Sequence, residues 1–177
     1  MTDSAKAGHK PPIDYRDVKS RPAVSPYPPP YNNAFHPDMQ WKMVGTMLGL
    51  THFGVNFVTL PPGGKSAERH WHKAQDEFVY VIEGELTLIT DAGETPLRAG
   101  HSVGFAADVA DGHVLVNTSD APATYLCVGD RAQPEHVTYS EADMQLISDE
   151  KGPRFLHKDG TPYPDEDQPR WGPPKKS

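Results

Sequence analysis

Cysteine is almost absent. Cys127 stands alone, so no intramolecular disulfide can form and no thiolate metal cluster can be built. The chain also lacks any uninterrupted apolar run near the roughly 18 residues a membrane span requires, and its opening MTDSAKAGHKPP has no apolar stretch of signal-peptide length. These absences predict a cytoplasmic protein with no membrane partner. Positive charge is scarce as well: 17 Lys and Arg stand against 24 Asp and Glu, for a formal net charge of −7, and no basic cluster is present. A phosphate-backbone binder needs concentrated basic surface, so nucleic acid is not an expected partner. Aromatic residues make up 9% and mean hydropathy is −0.63, low for a chain packed from end to end. There is no internal repeat and no heptad pattern.

Proline is plentiful but unevenly placed. Of 19 prolines, eight lie between Pro11 and Pro37 and six between Pro153 and Pro174. Proline removes a backbone donor and fixes φ, so these ends read as extended arms. The 177 residues suffice for one domain, which divides into an N-terminal arm (1–40), a β-barrel (41–140) and a C-terminal segment with a second arm (141–177). Tyr15, Tyr27, Tyr31, Phe35, Phe155, Tyr163 and Trp171 are candidate anchors that would fix the arms to their own barrel or to a partner subunit.

The central part alternates short apolar runs with turn signals, the pattern of an all-β sandwich or barrel. VGTMLGL, FGVNFVTL, ERHWH, EFVYVIEGELTLIT, ETPLRA, GHSVGF, HVLVNT, TYLCVGD and HVTYS are the expected strands, with a hairpin at Asp91-Ala92-Gly93. SEADMQLISDE has a weak helical pattern.

Four residues stand out chemically. Side chains two apart in a strand share a face, so His70 and His72 point one way and Trp71 the other. Glu77 opens the next apolar run, where an adjacent strand can return its carboxylate to the same spot, and His113 heads the HVLVN strand. Three imidazole nitrogens and one carboxylate oxygen suit one divalent transition metal (Fe, Mn, Zn, Ni or Co) and suit Ca or Mg poorly.

The spacing resembles that of the cupins. Gly64-KSAER-His70-Trp71-His72-KAQD-Glu77-FVYVIE-Gly84 matches the first cupin signature throughout. The second is represented by Gly100-HSVGF, His113 and Asn117, but Ala106 stands in place of its proline and Asp108 in place of its glycine, and His113 comes two residues late. The resemblance implies a double-stranded β-helix, or jelly-roll, barrel between proline-rich arms, with metal on His70, His72, Glu77 and His113. More narrowly it is to single-domain bacterial cupins ending in a sequence such as Lys158-DGTP-Tyr163.

Alternation places Leu115 and Asn117 inward with His113, and Val79 and Val81 inward with Glu77, while Tyr80 and Trp71 face outward and predict a homodimer contact. A metal that accepts six ligands keeps two positions open when the protein fills four. The expectation is a metalloenzyme acting on a small anionic or polyoxygenated molecule, by isomerase or lyase chemistry or as a dioxygenase; the alternative is a non-catalytic cupin that binds or senses a small ligand. Glu68, Asp76, His101, Asp108 and Asp111 are candidate proton carriers, with His52 and Asn56 on unassigned faces.

Overall fold

The structure is a computed structural model that describes residues 9–22 and 24–169. Along the chain run β1 (Arg21–Pro22), β2 (Gln40–Lys42), α1 (Val44–Leu48), β3 (Phe53–Leu60), β4 (His70–His72), β5 (Glu77–Glu83) and β6 (Glu85–Thr90). They are followed by β7 (Gly93–Arg98), β8 (Ser102–Phe105), β9 (Val114–Val116), β10 (Ala123–Asp130), β11 (Glu135–Tyr139), β12 (Gln145–Asp149) and β13 (Gly152–Leu156). No helix among the described residues is long and apolar enough to cross a membrane.

One wall is a six-stranded antiparallel sheet in the order β1-β2-β3-β10-β5-β8. The opposite wall consists of β13-β12-β11-β4 and β7-β6-β9, joined by a bridge between His70 and His113. This is the jelly-roll arrangement the strand rhythm predicts. Burial alternates along β5, with Val79 and Val81 inside and Phe78 and Tyr80 exposed on the outer face. Between the walls Val58, Leu60, Val81, Leu86, Leu88, Leu115 and Tyr125 form the main core.

EFVYVIEGELTLIT does not continue as one strand. Gly84 turns the chain from β5 in one wall to β6 in the other at φ +80°, and a Cβ there would lie 2.8 Å from Ala123 Cα and from Pro122 O. Only glycine meets both demands. Two local expectations are corrected. VGTMLGL forms the one-turn helix α1, closed by Gly49 in the left-handed region, where its N–H reaches back to Gly45 and Thr46 carbonyls. The segment expected to be helical, SEADMQLISDE, instead supplies β12, because Leu146 and Ile147 alternate into a sheet edge that β11 offers.

Much of the two ends packs on the barrel. Tyr27 is buried edge-on against Tyr139 and Phe155, forming a second core with Ala142, Met144, Leu146 and Tyr163. Gln168 clasps Phe155 through both its N–H and its carbonyl. Tyr15 stacks on Phe57 with ring centres 4.0 Å apart. Trp171 lies outside the described residues.

Candidate metal centre

His70, His72, Glu77 and His113 come from three places in the chain, and the two walls bring them together. β4 is held on one side by β11, with His70 opposite Tyr139 and His72 opposite Val137. On its other side His70 exchanges both backbone hydrogen bonds with His113, at 3.2 and 2.8 Å, which sets those two residues directly opposite each other. Glu77 begins β5 in the facing wall, between Phe105 and Gly129.

His70, Glu77 and His113 offer ligand atoms within 4.8 Å of one another. His113 Nε2 lies 2.9 Å from Glu77 Oε2, His72 Nε2 3.5 Å and His70 Nε2 4.0 Å from the same oxygen. Thus all four residues singled out from the sequence converge on one carboxylate oxygen, His72 standing just outside the tighter group of three.

The surroundings fix which nitrogens face inward. His70 Nδ1 is 2.8 Å from the Glu68 carbonyl, so Nδ1–H donates outward and the Nε2 lone pair faces Glu77. Phe105 stacks flat on His113 at 3.6 Å and holds that ring in plane. Both ring nitrogens of the half-buried His72 are shielded from solvent and neither is hydrogen-bonded, and His113 Nδ1 is likewise without a partner. Buried polar atoms are normally paired. An imidazole whose shielded, free Nε2 is aimed at a carboxylate fits a cation between them, so the donor set and its unpartnered nitrogens are compatible with a divalent transition metal.

Burial pushes the Glu77 carboxyl up, but the His113 and His72 imidazoles overcome this and hold it well below its ordinary range. Burial lowers His70 to about 4, keeping it neutral. For His72 burial acts downward too, but Glu77 and then Glu135 outweigh it and raise the ring on balance.

Glu135, which the sequence reading missed, is the carboxylate behind His72. Its Oε2 is 3.9 Å from His72 Nδ1, and its oxygens accept from the N–H groups of His136 (2.7 Å), Lys73 (3.0 Å) and Ala74 (3.3 Å). Its signal was alternation: Glu135 shares its parity with the buried Val137 and Tyr139.

A cavity of about 250 Å³ opens beside His72 and His113, lined by Trp71, Gln75, Thr90, Phe105, Val109 and Asp111 among others. Trp71 therefore walls the cavity mouth, contrary to the outward position expected for it. The short three-residue β4 ends against an irregular loop, so strict alternation does not bury or expose that ring completely. Asn117, expected to line the lumen, is instead consumed by structure. Its amide donates to the Leu60 and Ala121 carbonyls and its oxygen accepts from Ser119.

Of the candidate proton carriers, Asp111 alone lines this cavity; one of its oxygens accepts from Asp91 N–H at 2.7 Å. Asp76 caps Ala107 N–H, Asp108 pairs with Lys73, Glu68 pairs with Lys65, and His101 is exposed at a turn. Asp108 sits at φ +64°, where the second signature has glycine, so the aspartate occupies the glycine-type conformation. Lys73 and the His72 carbonyl, which accepts from Asp108 N–H, anchor the altered loop over the site.

The Cupin_2 family, a cupin domain, matches residues 56–129. Among solved structures, a cupin-superfamily sugar phosphate isomerase from Silicibacter pomeroyi is 42% identical, with 88% of this chain and 98% of that chain covered and a TM-score of 0.80. The polyketide cyclase RemF from Streptomyces resistomycificus is 19% identical over 75% of this chain and 87% of its own, with a TM-score of 0.59, a likeness of fold alone. Among curated proteins, the polyketide synthase CurC of Streptomyces cyaneus is 30% identical over 86 residues, 49% of this chain; the chain spans about half that protein's length, 54%.

Proposed function

The chain belongs to the cupin superfamily, and from that premise we propose that it is a metal-dependent isomerase of a small phosphorylated sugar. The observation that carries the reading is the convergence of three imidazoles and Glu77 at the wall of an open cavity, in a chain 42% identical to a sugar phosphate isomerase over nearly that protein's whole length.

In this reading His70, His72, Glu77 and His113 hold one divalent transition metal. The bound ion supplies Lewis acidity to the sugar's carbonyl oxygen and a net positive charge after the single Glu77 carboxylate is counted. The Glu68 carbonyl and Phe105 orient His70 and His113, so the two rings are preorganised. Aldose–ketose isomerisation moves one proton between neighbouring carbons and a second between the oxygens they carry. Asp111 lines the cavity with one oxygen anchored by Asp91 N–H, which leaves the other to take the carbon-bound proton and return it. Trp71, Phe105 and Val109 limit water at the reacting carbons. A homodimer through the exposed Phe78 and Tyr80 face is part of the same proposal, and a monomeric mass at micromolar concentration overturns that element.

The test is proton exchange. Protein loaded with Mn, Fe, Co, Ni or Zn in turn is incubated in D2O with aldose and ketose phosphates of four to six carbons. Deuterium at the carbon next to the carbonyl, lost in Asp111→Asn, is the expected result. No exchange with any metal and any sugar overturns the isomerase reading.

A further inference from the structure

Beside Glu77 the inner wall has two positions with no side chain of their own. Across the six-stranded sheet Gly129 of β10 lies opposite Glu77, and Gly54 of β3 lies opposite Gly129. Neither glycine has a positive φ, so the backbone does not call for glycine at either place. A Cβ built on Gly129 would meet Glu77 Oε1 at 3.5 Å, and one on Gly54 would meet Gly129 O at 3.7 Å, both ordinary contacts. Glycine weakens a strand interior and often marks a close approach by a ligand. Two in register, next to Glu77, let the Glu77, Asn56 and Arg131 side chains lie close over the backbone of this strip of wall.

Two hydrogen-bond donors face that strip. Asn56 Nδ2 lies 3.5 Å and an Arg131 terminal guanidinium nitrogen 4.0 Å from the Gly54 Cβ position. Asn56 lies opposite Cys127, which packs against the core, so it occupies the inner face of β3; His52 lies exposed at the rim. Arg131 follows β10 with the parity of Cys127 and Gly129. Among the described residues Arg131 makes no ion pair, its side chain reaching only the Leu50 carbonyl at 3.4 Å, and the Asn56 amide makes no hydrogen bond. The nearby acids are already engaged: Asp130 accepts from Asp76 and Ala132 N–H, and Asp76 from Ala107 N–H.

We propose that this strip binds the phosphate end of the substrate. The Arg131 guanidinium takes two phosphate oxygens, and Asn56 donates to a hydroxyl between the phosphate and the reacting carbon. Adjacent strands are about 4.8 Å apart, so Gly54 lies two such steps, about 10 Å, from Glu77. An extended chain of five or six carbons bridges that interval. Guanidinium matches phosphate bidentately, whereas an unphosphorylated sugar would leave it unmatched. The assignment rests on the sugar-phosphate reading above.

Calorimetric titration of metal-loaded protein with 5-phospho-D-arabinonate and with D-arabinonate tests it. Wild type should prefer the phosphorylated compound by roughly 10- to 100-fold, the range of one charge-assisted contact. Arg131→Gln should reduce that preference to near parity without weakening D-arabinonate, Arg131→Lys should restore part of it, and Gly54→Val should abolish it with Arg131 intact. An unchanged preference in Arg131→Gln overturns the subsite while leaving the isomerase reading in place. Equal binding of the two compounds by wild type does the same. Binding of neither compound overturns both.

Discussion

Replacing Glu135 by glutamine probes whether His72 is held from behind. The carboxylate is almost wholly buried and accepts from His136 and Lys73 N–H at 2.7 and 3.0 Å, with Ala74 N–H further off at 3.3 Å. Hydrogen bonds to a charged acceptor contribute about 1.5–3 kcal/mol each, roughly twice the neutral value. Glutamine keeps one oxygen but removes the charge, and it turns an NH2 toward a backbone N–H. The expected loss is about 2–4 kcal/mol, or a fall in Tm of roughly 4–16 °C at about 2–4 °C per kcal/mol for a domain of this size. Differential scanning calorimetry of the metal-free protein measures this. The same change should weaken metal binding by about 10- to 100-fold, the usual effect of losing a carboxylate behind a ligating histidine. A Tm within 2 °C of wild type together with unchanged metal affinity would refute the reasoning.

Phe155→Ala should cost about 3–5 kcal/mol, because Phe155 is fully buried among Tyr27, Tyr139, Met144 and Tyr163; one cooperative transition at lower temperature is expected, and a separate early transition would show that β12 and β13 are not part of the same core. His70 links stability to pH in the metal-free protein. Its folded value of about 4 lies below the ordinary 6.5, so the unfolded chain binds the extra proton between these limits. Stability should fall as pH drops through that window, by up to about 3 kcal/mol, and level off below it. Chemical denaturation of His70→Gln across pH 4–6.5 should give a flatter curve than wild type, and an identical slope would contradict the assignment.

The barrel was legible because its strands alternate cleanly, as in Val79 and Val81 against Phe78 and Tyr80. His70 and His72 were legible because spacing within a strand fixes which side chains share a face, and Glu77 and His113 because they fall at the positions of the cupin signatures. Less legible was what depends on partners distant in the chain. The strand β12 owes its form to the edge of β11, which overrides a helical pattern in the local sequence. Glu135 sits in a QPEH context that looks like a turn, and its role appears only when β11 is laid against β4. Trp71 and Asn117 misled for a common reason. Alternation states which way a side chain starts, and the loop beyond β4 and the Leu60 carbonyl decide what it meets. Gly54 and Gly129 carry no motif at all, and they gain meaning only from the register that sets them beside Glu77.

The most direct measurement is elemental analysis of the purified wild-type chain beside His72→Ala and Glu77→Ala, each checked for folding by circular dichroism. Close to one equivalent of a first-row transition metal in wild type, with both variants folded and depleted, is the predicted result. Full occupancy in both folded variants would contradict a centre built on these side chains.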